Sequence, residues 1–116
     1  MSEDPTFTDP DKYKVAFENE HVRVLEYTDH PGDRTSPHAH PDSVMYTLSS
    51  FRRRLYSADG ETRDVDIAVG TTGWLPAQRH AGHNIGDSET HVIFVELKGR
   101  TPGTTTELGP TGPAVE

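Results

Sequence analysis

The chain contains no cysteine, and this absence removes a whole group of chemistries. Disulfide bonds, thiolate metal sites and thiol nucleophiles are all excluded. If the protein holds a metal ion, its ligands must be nitrogen or oxygen atoms. The search for a site therefore narrows to histidine and the carboxylates.

Long hydrophobic runs and an excess of positive charge are also absent. No stretch approaches the roughly 20 apolar residues that span a membrane, and the acidic beginning of the chain has no apolar core of the signal-peptide type. The 11 basic residues face 19 acidic ones, which gives a formal net charge of -8. That charge opposes binding to phosphate backbones and anionic membranes. We therefore expect a cytoplasmic protein that binds neither nucleic acid nor membrane.

The 116 residues suit one small domain with a terminal extension on each side. Residues 1–14 hold two prolines and four acidic residues, and are predicted to form a loose arm that Phe7 or Tyr13 anchors. Residues 99–116 hold four glycines, three prolines and no aromatic residue, which is typical of a flexible or surface-draped tail. The working domain is predicted to be residues 15–98.

Short runs rich in β-branched and aromatic residues fill this domain, and turn-forming residues separate most of them. The runs are residues 21–27, 43–50, 51–57, 64–69, 73–76 and 91–97. None sustains the 3.6-residue period of a helix. Many short strands in a chain of this size predict an all-β sandwich or closed barrel with little helix.

Two segments concentrate histidine. In "TSPHAHPDSVMY", alternation along an extended chain places His38 and His40 on one face, where two imidazoles can share a metal. In the second segment, "WLPAQRHAGHNIGD", His80 is followed by Asn84 and a turn. Asn84 is predicted to tie that turn by hydrogen bonds from its side chain.

These segments resemble the two motifs of the cupin family. The first motif usually reads Gly, five residues, His-x-His, three or four residues and Glu, and its matches here are Gly32, His38 and His40. The second usually reads Gly, five residues, Pro-x-Gly, two residues, His, three residues and Asn. Its matches are Gly70, Pro76, His80 and Asn84, with one residue fewer before the histidine and no glycine between Pro76 and His80. The resemblance covers residues 21–97 and implies a cupin-type double-stranded β-helix, a jelly-roll barrel.

For the site, the resemblance implies a mononuclear metal centre with three histidine ligands, His38, His40 and His80. A typical cupin adds a glutamate after His-x-His. With the interval here taken as one residue short, that position falls on Ser43 or Val44, and neither is a good ligand. Asp42, the nearest carboxylate, and Gln78 are the alternatives for a fourth ligand.

Three neutral imidazoles suit one divalent transition-metal ion, Fe(II), Zn, Ni, Co, Mn or Cu, rather than Mg or Ca. Without a carboxylate ligand the ion keeps its full charge and attracts a small anionic or carbonyl-bearing substrate. With iron, a resemblance to the three-histidine cupin dioxygenases implies oxygenase chemistry. With zinc or nickel, isomerase or lyase chemistry is more natural. The remaining alternative is a binding or sensing module that holds a ligand without turnover.

Two further residues are candidates for catalysis. Strict alternation turns His83 away from the metal, but a bulge would make it a base beside the site. Arg53 in the run "FRRRLY" (residues 51–56) faces inward if the strand phase holds, and its guanidinium would then bind a substrate carboxylate or phosphate. The alternative for this run is a charged edge strand that discourages aggregation.

Packing residues and subunit contacts complete the prediction. Met45, Tyr46, Tyr56 and Trp74 are candidates to line a pocket near the ion. Jelly-roll domains expose sheet edges and commonly pair, which predicts a homodimer. Its contact is expected from the N-terminal arm or from the "FRRRLY" run.

Overall fold

The computed structural model describes residues 2–99 and 108–111, and within these ranges the chain is almost entirely strand. One four-residue helix, α1 (Pro5–Thr8), precedes the strands. The strands are β1 (Tyr13–Glu18), β2 (Val22–Asp29), β3 (His38–His40), β4 (Ser43–Thr47), β5 (Phe51–Ser57), β6 (Thr62–Ile67), β7 (Thr72–Leu75), β8 (Gln78–Asn84) and β9 (Thr90–Leu97). Among the described residues no helix is long and apolar enough to cross a membrane.

The strands form two antiparallel sheets that pack face to face. One sheet has the order β1-β2-β9-β4-β7 and the other the order β3-β8-β5-β6. Burial alternates along β5, β8 and β9, as expected when one face of each strand covers the interior. Each large apolar side chain buried there contributes about 1.5–3 kcal/mol. The core residues are Tyr13, Leu25, Tyr27, Met45, Phe51, Leu75, Val92 and Phe94. The prediction of an all-β jelly-roll barrel is confirmed.

The N-terminal arm is more ordered than the sequence predicts. Asp4 caps α1, since its Oδ1 accepts a hydrogen bond from the Thr6 amide at 2.9 Å. The Ala39 amide donates to the carbonyl oxygen of Glu3 at 2.9 Å and so fastens the arm to β3. Of the two predicted anchors, Tyr13 is buried in the core whereas Phe7 is 63% exposed. The barrel therefore begins at Tyr13, because this side chain already belongs to the interior.

Part of the predicted tail packs back onto the barrel. Residues 108–111, which we call the strap, lie beside β7, where Thr111 and Trp74 exchange two backbone hydrogen bonds of 2.8 and 3.2 Å. The Arg63 guanidinium donates to the carbonyl oxygen of Leu108 at 2.7 Å. These bonds need no apolar side chain, which is why composition alone predicted a tail. Residues 100–107 and 112–116 of that tail lie outside the described residues.

The "FRRRLY" run forms β5, which lies inside the four-stranded sheet. It pairs with β8 on one side and with β6 on the other. The interpretation of this run as an edge strand is therefore wrong, and it offers no free edge for a subunit contact. Arg54 points outward and pairs with Asp64 at 2.7 Å, whereas Arg53 points inward. The homodimer itself stays a prediction.

Candidate metal centre

Strand geometry brings the predicted histidines together. In β3 the side chains of His38 and His40 are buried, while Ala39 between them is turned to the other face. β3 pairs antiparallel with β8, and in this register His38 lies directly opposite His80. Directly opposed residues have side chains about 4.5–5.5 Å apart at Cβ. Two residues of one strand and one of its neighbour thus share a single patch of the inner face.

The three imidazoles converge on one point in the interior. One ring nitrogen from each of His38, His40 and His80 lies within 4.8 Å of the other two. The ring centroids are 4.6, 5.0 and 5.0 Å apart, and the rings are steeply inclined to one another rather than stacked. Among the described residues this is the only group of three or more potential ligands close enough to hold a metal ion. The arrangement suits one ion bound by nitrogen at about 2.0–2.1 Å.

Hydrogen bonds fix the tautomers of two of these rings. Nδ1 of His38 lies 2.8 Å from the carbonyl oxygen of Ser36, and Nδ1 of His80 lies 2.7 Å from Oε1 of Gln78. A carbonyl oxygen only accepts, so both Nδ1 atoms carry the proton and both Nε2 atoms present a lone pair. The Nε2 atoms of His38 and His40 are buried and have no hydrogen-bond partner within residues 2–99 and 108–111. Such orphaned lone pairs fit a bound metal ion.

Burial keeps the cluster in the neutral form that a metal requires. Removal from water lowers the pKa of His38, and it lowers the pKa of His40 and His80 well below the ordinary value for histidine. Mutual repulsion adds to the effect, since a proton on His38 disfavours one on His40. At neutral pH all three rings are therefore neutral ligands.

None of the residues considered for a fourth ligand joins the cluster. Asp42 instead accepts a hydrogen bond from the Ala77 amide at 2.8 Å, which turns Oδ1 towards the backbone. The Gln78 side chain holds the proton-bearing Nδ1 of His80 and so positions a ligand rather than acting as one. At the site of the missing glutamate, Ser43 is fully buried and Val44 lies half-buried on the opposite face. Neither Asp42 nor Gln78, the two alternatives for a fourth ligand, supplies one in this geometry.

The histidines face a small, largely apolar cavity of about 60 Å³. Aromatic and aliphatic side chains from both sheets line it, and Pro110 of the strap contributes to its wall. Of the four predicted pocket residues, Met45 lines the cavity, whereas Tyr46, Tyr56 and Trp74 do not. Four aromatic residues also line the cavity without having been predicted to do so, Tyr13, Tyr27, Phe51 and Phe94. Their strand phase is the signal that could have found them.

Arg53 faces the cavity, as its strand phase predicts, but the anion that pairs with it is a side chain of the protein itself. Its Nη1 donates to Oδ2 of Asp29, and Oγ1 of Thr90 lies 3.3 Å from the same nitrogen. The guanidinium carbon lies 5.2 Å from the centre of the Tyr27 ring. The interpretation that a substrate anion must neutralise Arg53 is corrected, because Asp29 already does so. Asp29 escaped the sequence analysis, although Leu25, Tyr27 and Asp29 alternate onto one face of β2.

The two polar residues after His80 differ in orientation. Asn84 is buried and ties the following turn, since its Oδ1 accepts from the Gly86 amide at 3.0 Å and its Nδ2 donates to the Ser88 carbonyl at 2.9 Å. That prediction is confirmed. His83 lies half-buried on the outer face of β8, opposite Arg54 of β5, and does not line the cavity. No bulge interrupts the pairing there, so the interpretation of His83 as a base beside the metal is wrong.

Comparison with known proteins reveals relatives by structure only. No protein-family profile matches the chain, and no curated protein matches it in sequence. A cupin domain from Bordetella pertussis Tohama I superposes with a TM-score of 0.69 at 26% identity, over 75% of this chain and 92% of that one. A protein with a double-stranded β-helix domain from Klebsiella pneumoniae gives 0.60 at 21% identity, over 75% and 71%.

A larger enzyme shares the same barrel. The structure of a Bacillus subtilis oxalate decarboxylase variant superposes with a TM-score of 0.53 at 24% identity, over 71% of this chain but 23% of that one. At this identity the likeness concerns the fold alone. Strand order, the convergent histidines and the superposition on the cupin domain from Bordetella pertussis agree, and the described residues have the cupin fold, a double-stranded β-helix.

Proposed function

We propose that this cupin is a metal-dependent enzyme of oxygenase type, which acts on a small anionic or carbonyl-bearing substrate at a mononuclear three-histidine centre. The observation that carries the proposal is the convergence of three neutral, buried imidazoles of His38, His40 and His80 on one point of the cavity wall. When bound there, a divalent transition-metal ion would supply uncompensated positive charge and open coordination positions. The proposal leaves the choice among Fe(II), Zn, Ni, Co, Mn and Cu to experiment.

The protein's own residues define the substrate. The 60 Å³ cavity is far smaller than the roughly 300–1,000 Å³ of sites for drug-sized ligands, so the substrate must be compact. The apolar wall of the cavity favours a substrate with a small hydrocarbon part. An anionic group of the substrate would find few partners there other than the histidine-bound ion. Because Asp29 already neutralises Arg53, the guanidinium adds little net attraction for an anion. The substrate is therefore expected to bind through one or two oxygen atoms at the histidine end.

The lining favours oxygenase over isomerase or lyase chemistry. Enolisation and elimination need a general base within hydrogen-bond reach of the substrate. Among the described residues that line the cavity there is no carboxylate, and the ionisable ones besides the histidines are Arg53, Tyr13 and Tyr27. Burial raises the pKa of both tyrosines, so both phenols stay protonated near neutral pH and neither is available as a base. Oxidation by dioxygen depends less on such a base.

The same lining supports one second candidate, a cupin that binds or senses a small ligand without turnover. A site without a base can hold an anion on the metal and release it unchanged. Turnover separates the two functions, and ligand binding that survives removal of the metal would also favour the second. The predicted cytoplasmic location is common to both and stays a prediction.

The test begins with metal content. Protein expressed in defined medium is expected to hold about one transition-metal ion per chain, and His80→Ala is expected to lose it. His83→Ala is the matched control, because it removes a histidine from the outer face of the same strand and should keep the ion. The proposal would be contradicted if wild-type protein held no stoichiometric ion, whichever transition metal is added to the medium.

Turnover is then measured with the metal that the protein retains. Oxygen uptake is recorded with a panel of small carboxylates and diketones, and oxalate is included because a structural relative acts on it by name. Uptake that depends on substrate and metal and is lost in His80→Ala supports the oxygenase. Metal-dependent binding without uptake or product favours the second candidate.

A further inference from the structure

Three buried polar atoms lie together behind His40, and none has a hydrogen-bond partner among the described residues. They are Nδ1 of His40, Oε2 of Glu96 and Oγ of Ser43. All three side chains are almost completely buried. Leaving one such group unpaired usually costs about 1–3 kcal/mol, so a cluster of them calls for an explanation.

The three ligands differ in what lies behind them. His38 and His80 each donate Nδ1–H to a neutral oxygen, from Ser36 and Gln78. His40 has no such bond, but its Nδ1 lies 3.8 Å from the carboxylate oxygen Oε2 of Glu96. A hydrogen bond between a ring nitrogen and a carboxylate measures about 2.7–2.9 Å, so a shift of about 1 Å would form it. Nδ1 of His38 also lies 3.8 Å from Oδ2 of Asp9, but it already donates to Ser36. His40 is thus the one ligand whose Nδ1 lies beside a carboxylate and makes no hydrogen bond among the described residues.

Glu96 is held so that this oxygen stays aimed at His40. Oε1 accepts a hydrogen bond from Nε of Arg23 at 2.8 Å, and Nη2 of Arg23 pairs with Asp4 at 2.9 Å. The register of β2 with β9 sets Arg23 opposite Glu96. One oxygen is therefore fixed by the arginine, and the other remains for the imidazole.

Ser43 explains why a second carboxylate is not present nearby. In the pairing of β4 with β9, Ser43 lies directly opposite Glu96. A glutamate at position 43 would oppose two carboxylates in the interior. Like charges directly opposite destabilise a sheet. The small side chain of Ser43 is compatible with a carboxylate on β9 in place of one on β4.

We propose that Glu96 is a positioning residue of the metal centre, which accepts the Nδ1–H of His40 and so directs its Nε2 lone pair to the ion. This inference rests on the proposed metal site. It adds a carboxylate that contacts a ligand of the ion rather than the ion itself. Ligating histidines commonly donate their second N–H to a carboxylate, which fixes the ring and makes it a better donor. The negative charge also offsets part of the charge that three neutral ligands leave uncompensated.

The test compares Co²⁺ binding by the wild-type protein, Glu96→Gln and Glu96→Leu, using calorimetry and the visible absorption of the bound ion. Glutamine keeps an acceptor without charge, and leucine removes both. We expect affinity to fall about 10- to 100-fold in the leucine variant, with a smaller loss for glutamine and an altered cobalt spectrum in both. Glu26→Gln is the matched control, because Glu26 bonds Nε2 of His91 at 2.6 Å on the outer face. It should leave affinity and spectrum unchanged.

Two failures are distinguishable. If wild-type protein binds no Co²⁺, the proposed function fails and the inference with it. If wild-type protein binds Co²⁺ and both Glu96 variants match it in affinity and spectrum, only the role of Glu96 is overturned. Should the variants fail to fold, imidazole nitrogen NMR of zinc-loaded wild-type protein decides. A protonated, slowly exchanging Nδ1 on His40 supports the inference, and an unprotonated or freely exchanging one overturns it.

Discussion

Oε1 of Gln78 lies 2.7 Å from Nδ1 of His80 and also accepts a hydrogen bond from the Gly109 amide at 2.7 Å. Residues two apart in a strand share a face, so Gln78 and His80 both lie on the inward side of β8. One amide oxygen thus connects a metal ligand to the strap. The position of the strap and the orientation of His80 depend on the same side chain.

Replacing Gln78 with leucine should therefore weaken metal binding. The Nδ1 proton of His80 loses its acceptor, and the ring is no longer held in the tautomer that frees Nε2 for the ion. Loss of such a contact usually costs about 10- to 100-fold in affinity, which calorimetry with Zn²⁺ can measure. Arg79→Gln is the control, since Arg79 lies on the outer face and pairs with Glu3. Equal zinc affinity in Gln78→Leu and wild-type protein would show that His80 is positioned by other means.

Substituting Gly109 with alanine should lift the strap from the barrel. A Cβ atom there would lie 2.4 Å from Cδ1 of buried Leu55, and the backbone has φ +84°, which favours glycine. Hydrogen exchange at the Trp74 amide, which donates to Thr111, reports whether the strap remains paired. Gly99→Ala is the control, because Gly99 also has positive φ but open space around it. Faster exchange in Gly109→Ala alone is the expected result, and unchanged exchange would mean that Leu55 simply moves aside.

The sequence predicted features that depend on local period or spacing. The inward direction of His38, His40 and Arg53 follows from alternation in strands, and the cupin resemblance predicted that His80 would join the first two. The structure places all four as expected. Strand phase also explains why His83 points away, and the predicted exception failed because no bulge occurs in β8.

Contacts between distant segments were not predictable in the same way. Asp29 and Arg53 are 24 residues apart, and nothing in either strand identifies the other as its partner. Glu96 ends an apolar run in which Val92 and Phe94 share its face, so its burial follows from phase but its approach to His40 depends on strand order. The strap is held by hydrogen bonds of its backbone to Trp74, Arg63 and Gln78, which composition does not encode. These features require the three-dimensional pairing of strands.

Stability is predicted to require glycine at position 82, because the Arg53 guanidinium packs directly against Gly82. An added Cβ would lie 2.4 Å from Nη2 and 3.2 Å from Cζ of Arg53. Since Asp29 holds the guanidinium, Gly82→Ala should cost about 1–3 kcal/mol of unfolding free energy, as overpacked sites do. Chemical denaturation measures this cost in wild-type protein and in an Arg53→Met background. There the clash is gone, so the alanine should cost much less, and equal costs in both backgrounds would refute the explanation.

The pairing of Asp29 with Arg53 predicts how stability depends on acid. Burial alone would raise the pKa of Asp29, but the Arg53 charge and hydrogen bonds from Tyr27, Arg53 and Asn84 lower it on balance below the ordinary 3.8. A carboxyl whose pKa is lower in the folded than in the unfolded state stabilises the folded protein. This contribution is complete when the pH lies above the pKa of the unfolded chain. That contribution is lost as the pH falls from 3.8 through the folded pKa, by up to about 1.4 kcal/mol per pH unit.

Comparison of Asp29→Asn with wild-type protein isolates this contribution. At pH 7 the variant leaves the Arg53 charge buried without its partner, which should cost about 3–5 kcal/mol of unfolding free energy. Denaturation of the metal-free proteins between pH 7 and pH 3 should show the gap narrowing below pH 3.8, because the carboxyl of the unfolded wild-type chain is then protonated while that of the folded protein still has to take up a proton on unfolding. Asp64→Asn is the control, since its pair with Arg54 is exposed to solvent and should contribute little. A gap that stays constant down to pH 3 would mean that Asp29 titrates alike in the folded and unfolded chain, and the ion pair would then have no special role in holding Arg53 inside the barrel.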